Sequence, residues 1–421
     1  MDKLVVEGGR KLSGNIRISG AKNACLPILA ATILTDEKCV ISNVPDLKDV
    51  KTMIEILRAF GRQVTREEGT ITVDAGELKN VTASYDLVST MRASVAVLGP
   101  LLARYGEANV SFPGGCVIGP RPIDLHMKGL RALGADIRVE GGYIVASAKR
   151  LKGSKIYLGG HFGSSVLATA NTLMAAVLAD GETVIVGAAC EPEIVDLVKF
   201  LTSMGADIEG KGTPTIKVRG VRKLTGVEHS VISDRIEAGT YMIAAVITGG
   251  RLFLEGARPE HNIALIDKIQ ECGGIVEERS GGIEVYRVNK RVRATDVTTL
   301  TYPGFPTDLQ AQMMSLVTVC EGISVITEKI YPERFIHISE LNRMGAEIIL
   351  EGCTSIIKGV AKLSGALVMA SDLRASAALV LAGLVAEGRT EISRVYHLDR
   401  GYEHIEEKLS NAGAKIWRVK E

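Results

Sequence analysis

The segment L-R-A-L-G-A-D-I at residues 130–137 decides the fold, because five other segments of the chain repeat its pattern. In each copy an amphipathic stretch with helical spacing ends at a glycine, and an apolar strand begins directly after it. Glycine at this place is typical of a helix C-cap in the left-handed conformation. The other copies are I-L-R-A-F-G-R-Q-V (56–64), L-T-S-M-G-A-D-I (201–208), I-Q-E-C-G-G-I-V (269–276), L-N-R-M-G-A-E-I (341–348) and L-S-N-A-G-A-K-I (409–416).

The marker glycines recur roughly every 70 residues, which is the signature of an internal repeat. They are Gly61, Gly134, Gly205, Gly273, Gly345 and Gly413. A second, more apolar helix precedes each marker and leads through a turn into a short strand, as in T-L-M-A-A-V-L-A-D-G-E-T-V-I-V (172–186). Each repeat therefore reads strand, buried helix, strand, outer helix, strand, strand. A helix that is apolar on nearly all sides must be covered, so neighbouring repeats should share a core.

Six repeats in this length predict an α/β protein of two lobes, each with three inner helices wrapped by sheets. We place the lobe boundaries at G-A-K-N and S-D-R-I-E. The first lobe then spans residues 22–232 and carries a loop at 111–124, while residues 1–21 and 233–421 form the second lobe. An ordinary α/β fold with coincidental spacing is the alternative, and six regular matches disfavour it.

Composition narrows the class of protein. The chain has 421 residues, 46% of them hydrophobic, and a formal net charge of +1, which argues against a nucleic-acid or anionic-membrane binder. No stretch approaches the ~18 uninterrupted apolar residues of a membrane-spanning helix, and the N-terminus lacks a signal-peptide pattern. The seven cysteines include no C-x-x-C pair, which is typical of reduced thiols. We expect a cytoplasmic protein without a metal site.

Charged residues lie just before several of the buried helices, in addition to the Ser, Asp or Thr that helix N-termini prefer. They are Lys22, Arg92, Asp234, Arg235, Asp308, Asp372 and Arg374. In two facing lobes of equivalent repeats, the helix starts would gather around one cleft and form an anion site. Each charge alone fits a solvated surface residue, but the set favours a polyanionic substrate. Further basic candidates are Arg121, Arg334 and Arg400.

The loop S-F-P-G-G-C-V-I-G-P-R-P-I-D (111–124) places Cys116 between small residues, with Arg121 nearby to stabilise a thiolate. The alternative is a surface turn with an incidental cysteine. The chain has no G-x-S-x-G elbow and no H-E-x-x-H motif. What remains is a thiol acid at Cys116, a carboxylate at Asp308 and several cations. These residue types suit a general acid, a general base and a clamp for phosphate or carboxylate.

Seven segments resemble the UDP-N-acetylglucosamine 1-carboxyvinyltransferases of the enolpyruvyl transferase family, and the resemblance covers essentially the whole chain. They are S-G-A-K-N-A (19–24), T-M-R-A-S (90–94), P-G-G-C-V-I-G-P-R-P-I-D-L-H (113–126), E-P-E-I-V-D (191–196), F-P-T-D-L-Q-A-Q (305–312), D-L-R-A-S-A (372–377) and D-R-G-Y-E (399–403). Members of this family catalyse the first committed step of bacterial peptidoglycan precursor synthesis. The resemblance implies a two-lobed inside-out α/β barrel with three repeats in each lobe. It also implies enolpyruvyl transfer from phosphoenolpyruvate to a UDP-sugar without cofactor or metal.

The resemblance also implies roles for individual residues. Cys116 matches the proton donor that fosfomycin alkylates, Asp308 matches the base that accepts the proton of the sugar 3′-hydroxyl, and Lys22 matches a catalytic phosphoenolpyruvate contact. The remaining phosphoenolpyruvate contacts would be Asn23, Arg121, Arg334, Arg374 and Arg400. The UDP-sugar contacts would be Asn23, Arg92, Arg121, Pro122, Ile123, Asp124, Leu125, Ser165, Val166, Asp308 and Ile330.

One segment departs from the family pattern. The family usually shows S-V-G-A-T at the start of the third buried helix, whereas this chain reads L-G-G-H-F-G-S-S-V-L-A-T at residues 158–169. The segment is a few residues longer and has Leu167 where glycine is usual. We therefore expect the uridine contacts at Ser165 and Val166 to differ from the family norm.

Two other functions stay open at this point. 5-Enolpyruvylshikimate-3-phosphate synthase shares the repeat architecture, but the cysteine in the loop and the R-P-I-D-L-H run argue against it. A regulatory paralogue without activity is the second, and the presence of Lys22, Cys116, Asp308 and Arg400 argues against that. We expect small-molecule substrates, no nucleic acid, no membrane insertion, and a monomer or a weak oligomer.

Overall fold

A computed structural model describes residues 2–88, 91–112 and 123–420 of the chain, except for the side chain of Arg92. Cys116, Arg121 and Pro122 lie outside the described residues. No helix within the described ranges has both the length and the apolar character needed to span a membrane.

The strands in the first half of the chain are β1 (Lys3–Glu7), β2 (Ser13–Arg17), β3 (Cys39–Ser42), β4 (Gln63–Glu67), β5 (Thr70–Asp74), β6 (Thr82–Ala83), β7 (Glu107–Ser111), β8 (Asp136–Glu140), β9 (Tyr143–Ser147), β10 (Lys155–Tyr157), β11 (Glu182–Val186), β12 (Asp207–Glu209) and β13 (Thr215–Arg219). Those in the second half are β14 (Glu228–Ser230), β15 (Arg251–Glu255), β16 (Gly274–Arg279), β17 (Gly282–Arg287), β18 (Val292–Arg293), β19 (Val297–Thr298), β20 (Cys320–Glu321), β21 (Ile323–Thr327), β22 (Glu347–Glu351), β23 (Thr354–Lys358), β24 (Leu367–Met369), β25 (Arg389–Ser393) and β26 (Lys415–Val419).

The α-helices are α1 (Lys22–Ala31), α2 (Lys48–Ala59), α3 (Tyr85–Val88), α4 (Leu98–Tyr105), α5 (Asp124–Ala132), α6 (Val166–Ala176), α7 (Pro192–Ser203), α8 (Arg235–Thr248), α9 (Ile263–Glu271), α10 (Gln310–Val317), α11 (Ile338–Arg343), α12 (Leu373–Val385) and α13 (Ile405–Asn411). Short 3-10 helices cover Thr32–Leu34, Arg92–Val97, Pro259–His261, Thr307–Leu309 and Val395–Arg400.

The described chain divides into two units, each with its own hydrophobic core. The central unit lies between residues 20 and 232, and the terminal unit takes residues 2–19 and 233–420. Within the described residues the chain passes from one unit to the other at 19–20 and at 232–233, and the residues beside these points pair within each unit. In the central unit Ala21 N–H donates to Ile232 O at 2.7 Å, and in the terminal unit Asp234 N–H donates to Ser19 O at 2.8 Å.

Six four-stranded sheets share one pairing pattern: a parallel pair at one edge is followed by two antiparallel pairs. The central unit contains β14-β3-β5-β4, β6-β7-β9-β8 and β10-β11-β13-β12. The terminal unit contains β2-β15-β17-β16, β19-β21-β23-β22 and β24-β25-β1-β26, and also the small parallel pair β18-β20. Three sheets use strands distant in sequence, because β1 pairs with β25 and β26, β2 with β15, and β14 with β3.

The apolar helices are buried, as the sequence predicts. In the central unit α1 and α4 each contact α6, and in the terminal unit α8, α10 and α12 all contact one another. Nearly every residue of α1, α6, α8, α10 and α12 is buried, and so are the first five residues of α4. The approach of α4 to α6 requires a glycine, since a Cβ at Gly99 would lie 2.3 Å from the backbone oxygen of Asn171.

Each marker glycine follows an outer helix, and this prediction is confirmed. The six glycines have φ between +89° and +102°. Gly205 shows the hydrogen bonds of a Schellman cap, because its N–H donates to Thr202 O at 2.9 Å and Ala206 N–H donates to Leu201 O at 3.0 Å. The cap ends α7 and turns the chain into β12.

The starts of the buried helices differ from the expectation in one respect. Asp234 and Asp372 were expected to carry charges beyond capping, but each is itself the N-cap of its helix. Asp234 Oδ1 accepts from Ile236 N–H at 2.8 Å, and Asp372 Oδ1 accepts from Arg374 N–H at 2.8 Å. Ser165 caps α6 in the same way. A short carboxylate satisfies helix N–H groups directly, so these two aspartates are explained by local structure.

Candidate active site

Three charged side chains of the terminal unit meet next to the start of α10. Asp308 lies in the 3-10 turn Thr307–Leu309 that leads into this helix. Arg334 Nη1 donates to Asp308 Oδ1 at 2.8 Å, and Arg374 Nη2 donates to Oδ2 at 3.1 Å. All three residues were predicted as substrate contacts from the sequence, and we call this group the Asp308 cluster.

The two arginines determine the protonation of Asp308. Burial would raise the pKa of this carboxyl, but the charges of Arg374 and Arg334 outweigh burial and hold the pKa well below its usual range. Burial also disfavours the charged guanidiniums, yet Asp308 raises the pKa of both arginines. Only 3% of the Arg374 side chain and 5% of the Arg334 side chain are exposed, against 28% for Asp308. Two guanidiniums and one carboxylate give the cluster a net charge of +1, and most of this charge is buried.

The arginines of the cluster also have hydrogen-bond donors to spare. Arg334 Nε and Arg374 Nε and Nη1 are buried, and none of them has a hydrogen-bond partner among the described residues. An unpaired buried donor costs about 1–3 kcal/mol, so such groups usually await a ligand or water. Carboxylate and phosphate oxygens match the guanidinium geometry best. The cluster is therefore suited to an anionic ligand.

A second group of polar residues lies behind Arg374. The Arg374 guanidinium carbon is 5.5 Å from the centre of the Tyr402 ring, a cation–π contact. The Tyr402 hydroxyl lies 2.8 Å from Thr240 Oγ1 and accepts from Gln312 Nε2 at 3.0 Å. Burial raises the pKa of Tyr402, so the ring stays neutral. These contacts restrict the plane of the Arg374 guanidinium, and sequence analysis did not single out any of the three supporting residues.

Arg334 is supported from the other side by residues that the sequence patterns did not highlight. Arg334 Nη1 donates to Thr307 Oγ1 at 3.0 Å, and Thr307 Oγ1 donates to the buried carboxylate of Glu328 at 2.9 Å. Ile330, a predicted UDP-sugar contact, donates its N–H to the same carboxylate at 2.8 Å. His337 is also buried, and burial lowers its pKa to about 4.

Arg400 is the remaining predicted phosphoenolpyruvate contact of the terminal unit. It ends the 3-10 helix Val395–Arg400, which contacts α12, the helix that carries Arg374.

The central unit holds the remaining described candidates at helix starts. Lys22 is the first residue of α1 and Asn23 the second, and Lys22 Nζ lies 3.3 Å from Asp49 Oδ2. The Lys22 side chain is nearly buried, although no sequence signal pointed to Asp49 as its partner.

Five predicted UDP-sugar contacts of this unit lie at the starts of two helices that contact each other. Ile123 precedes α5, Asp124 and Leu125 begin it, and Ser165 and Val166 stand at the start of α6. Ser165 Oγ accepts from Ala168 N–H at 3.3 Å, so its hydroxyl oxygen serves as a helix cap. Arg92 begins a 3-10 helix that contacts both α1 and α6.

The segment that departs from the family pattern forms a tight turn. Gly160 N–H donates to Gly163 O at 2.8 Å, and Gly163 N–H donates to Gly160 O at 3.2 Å. His161 and Phe162 occupy the exposed tip with their rings edge to face at 4.7 Å. A Cβ at Gly160 would lie 2.9 Å from Leu125 Cδ1, so the base of the turn packs against a predicted substrate contact. The turn thus forms part of the surroundings of Leu125.

The side chain of His126 has a structural role. Its Nδ1 lies 2.8 Å from Asn171 Nδ2, and Asn171 Oδ1 accepts from Gly99 N–H at 2.8 Å. Burial lowers the pKa of His126 to about 4, and the charge of Asp124 offsets this only in part. The ring is therefore neutral at physiological pH and links α5 to α6 and α4.

Comparison with known proteins places the chain in a family. Residues 6–409 match the model of the family described as EPSP synthase (3-phosphoshikimate 1-carboxyvinyltransferase). The chain belongs to the EPSP synthase family of enolpyruvyl transferases. Within it, a UDP-N-acetylglucosamine 1-carboxyvinyltransferase from Methylacidiphilum infernorum is 55% identical over 419 residues, which cover 100% of this chain and 99% of the relative. A protein of the same name from Desulfosudis oleivorans is 54% identical over 419 residues, covering 100% of both.

Solved structures of enolpyruvyl transferases share the fold. The enolpyruvyl transferase NikO from Streptomyces tendae has a TM-score of 0.89 and 26% identity, with 99% of each chain covered. EPSP synthase from Acinetobacter baumannii has a TM-score of 0.77 and 18% identity, with 100% of each chain covered, and this likeness concerns the fold alone. The family resemblance inferred from the sequence is confirmed, and the chain has the α/β fold of enolpyruvyl transferases.

Proposed function

We propose that this protein transfers the enolpyruvyl group of phosphoenolpyruvate to the 3′-hydroxyl of UDP-N-acetylglucosamine and releases phosphate. One observation carries the proposal: relatives 54–55% identical to the chain from end to end bear the name of this activity. The reaction is the first committed step of peptidoglycan precursor synthesis, and we place it in the cytoplasm. Both substrates are small molecules, and the protein would act as a monomer or a weak oligomer.

The unpaired donors of the Asp308 cluster support a phosphoenolpyruvate site. This substrate carries a carboxylate and a phosphate, and a buried pair of guanidiniums with free N–H groups favours such an anion. Arg334 and Arg374 would bind it together with Arg400. Lys22, Asn23 and Arg121 are assigned to the same substrate by family resemblance.

The cluster also supports Asp308 as the general base. While both arginines donate to it, its depressed pKa makes Asp308 a weak base. An anionic substrate that takes up guanidinium donors would weaken this hold, because part of the positive charge would then be neutralised by the substrate. The pKa of Asp308 would rise toward its ordinary value once phosphoenolpyruvate is in place. Substrate binding would thus prepare the base for the 3′-hydroxyl.

Transfer would proceed by addition and elimination. Cys116 would donate a proton to the methylene carbon of phosphoenolpyruvate, and positive charge would develop at C2. The 3′-hydroxyl oxygen would bond to C2 while Asp308 accepts the hydroxyl proton. Loss of a methyl proton and of phosphate from the tetrahedral adduct would restore the double bond and leave the enolpyruvyl ether. The arginines would stabilise the phosphate throughout.

The UDP-sugar would contact the starts of α5 and α6. Proposed contacts are Asn23, Arg92, Arg121, Pro122, Ile123, Asp124, Leu125, Ser165, Val166, Asp308 and Ile330. The Gly160–Gly163 turn packs against Leu125, so its length would influence affinity for the uridine half of the substrate.

The pairing of strands supports a finer description of the fold. Six sheets of identical pairing order, three in each unit, and three mutually packed inner helices in the terminal unit are what six repeats of an inside-out α/β barrel require. We propose that residues 22–232 form one such barrel, and residues 1–21 with 233–421 the other.

An assay of phosphate release tests the activity. We expect release from phosphoenolpyruvate that depends on UDP-N-acetylglucosamine and stops after incubation with fosfomycin. The Cys116→Ser variant should lose most turnover and should not be alkylated. Release that depends instead on shikimate 3-phosphate would replace the proposal with EPSP synthase activity. No release with either acceptor would favour a regulatory protein.

A further inference from the structure

Glu328 is a buried carboxylate that no role proposed above uses. It follows β21 in the terminal unit, is fully buried, and accepts four hydrogen bonds. Its Oε1 accepts from Thr299 Oγ1 at 2.7 Å, from Ile330 N–H at 2.8 Å and from Tyr331 N–H at 2.9 Å. Its Oε2 accepts from Thr307 Oγ1 at 2.9 Å. All four donors are uncharged, so this carboxylate is held by hydrogen bonds alone, an unusual environment for a buried acid.

The bond to Thr307 controls the direction of a hydroxyl proton. An ionised carboxylate only accepts, so Thr307 must donate its single proton to Glu328. The lone pairs of Thr307 then face outward, and Arg334 Nη1 donates to them at 3.0 Å. The same nitrogen donates to Asp308 at 2.8 Å, which uses both of its N–H groups. Arg334 is thereby held at one nitrogen, and its buried Nε is left for a ligand.

The bonds to Oε1 act on a different part of the site. The two backbone N–H groups of Ile330 and Tyr331 converge on this oxygen and fix the turn after β21. Ile330 is the proposed UDP-sugar contact in this turn. One buried carboxylate thus fixes the arginine proposed for phosphoenolpyruvate and the backbone proposed for the sugar nucleotide.

We propose that Glu328 is a positioning residue for the transfer reaction, acting on Arg334 through the hydroxyl of Thr307. It touches neither substrate. The inference rests on the proposed function, since the ligands of Arg334 and Ile330 are those assigned above.

The Glu328→Gln variant distinguishes the bond to Thr307 from the bonds to the backbone of Ile330 and Tyr331. Two backbone N–H groups cannot reverse, so the carbonyl of glutamine must face Ile330 and Tyr331, and its NH2 group must face Thr307. Thr307 can no longer donate there, and its oxygen must accept from the amide as well as from Arg334, so the hydroxyl is no longer oriented for Arg334. We expect the KM for phosphoenolpyruvate to rise roughly 10–100-fold, as when a supporting residue of a ligand is lost. The KM for UDP-N-acetylglucosamine should change less than about threefold, because the backbone bonds persist.

Substitutions at Thr307 test the route. Thr307→Val should raise the KM for phosphoenolpyruvate as Glu328→Gln does. Thr307→Ser keeps the hydroxyl, so its KM for phosphoenolpyruvate should be close to that of wild type. The double variant Glu328→Gln/Thr307→Val should be no worse than either single variant, because residues acting in one chain are not additive. Thr318→Val is the control: Thr318 is fully buried and donates to Ser315 O at 2.7 Å at the end of α10. Its kinetic parameters should stay within about twofold of wild type.

Unchanged KM for phosphoenolpyruvate in folded Glu328→Gln, or effects that multiply in the double variant, would overturn the inference. If Glu328→Gln does not fold, the Thr307→Val and Thr307→Ser pair decides, and equal losses in both would exclude the hydroxyl as the link. The wild-type assay separates this outcome from a wrong function. A wild type without phosphate release contradicts the proposed activity, whereas an active wild type with insensitive variants contradicts only the role of Glu328.

Discussion

Arg374 and Asp308 are 66 residues apart in sequence, and Arg374 Nη2 donates to Asp308 Oδ2 at 3.1 Å. The guanidinium is almost completely buried, and its Nε and Nη1 have no hydrogen-bond partner within the part of the chain that the structure describes. The pair thus combines a satisfied contact with vacant donors on the same group. An anion that binds here would share Arg374 with Asp308, which ties the basicity of the carboxylate to occupancy of the site.

Removal of the Asp308 charge should stop turnover. We expect Asp308→Asn to lower kcat by roughly 10²–10⁴-fold, the usual contribution of a positioned general base. Far-UV circular dichroism should be unchanged. Asp296→Asn is the control, since this exposed aspartate of the same unit only accepts from Val325 N–H at 2.8 Å. Rates within tenfold of wild type in Asp308→Asn would remove Asp308 as the base.

The same substitution should lower stability over a defined pH range. Two buried arginines lose their common anion, which should cost roughly 3–5 kcal/mol of unfolding free energy. The pKa of Asp308 is depressed in the folded state, so its contribution is present above the unfolded pKa of about 3.9 and is lost only as pH falls through the lower folded pKa. Urea titrations should therefore show a constant difference between wild type and variant from pH 7 to pH 5. A difference that vanishes by pH 5 would contradict the depressed pKa.

His126 should contribute to acid sensitivity. Its folded pKa of about 4 lies below the unfolded value of about 6.5, so the unfolded state binds more protons and stability falls as pH drops through that interval. For this one residue the loss between pH 8 and pH 5 is about 2 kcal/mol. Urea unfolding of His126→Gln should show a shallower dependence on pH than wild type. Parallel curves would mean that folding does not lower the pKa of His126.

Lys22 should contribute to the use of phosphoenolpyruvate. We expect Lys22→Met to lower kcat/KM for phosphoenolpyruvate by roughly 100-fold or more, because a nearly buried ammonium stabilises a phosphate strongly. Phosphate release at saturating UDP-N-acetylglucosamine measures this. Lys51→Met is the control, since Lys51 is exposed and pairs with Asp46 at 3.0 Å. Equal kinetics in the two variants would argue against the role of Lys22.

Gly205 should be required for backbone reasons alone. Gly205 has φ +102°, and an added Cβ would meet nothing within 4 Å. Gly205→Ala should therefore destabilise the protein by about 1–2 kcal/mol through conformation and not through a clash. Chemical denaturation followed by circular dichroism measures this, and Gly205→Asn should cost less because asparagine tolerates positive φ better. An alanine variant as stable as wild type would show that the cap does not need glycine.

The repeat was readable because its signals are local. A glycine at a helix end, an apolar helix and a following strand all lie within about ten residues, and the physics that selects them acts over one or two helical turns. The glycine caps and the buried helices were predicted on this basis and are confirmed. Local reasoning also erred at Asp234 and Asp372, where the side chain simply caps the helix.

The sequence by itself determined the glycine caps, the buried helices and, by resemblance, the family, because each of these is carried by neighbouring residues or by whole segments. Only the tertiary structure decided that β1 pairs with β25 and β26, that Asp308 meets Arg334 and Arg374, and that Glu328 supports Arg334 through Thr307. These contacts join residues from 21 to several hundred positions apart. Hydrogen bonds and ion pairs require atoms within about 3 Å, and no spacing along the chain encodes which distant groups will come that close.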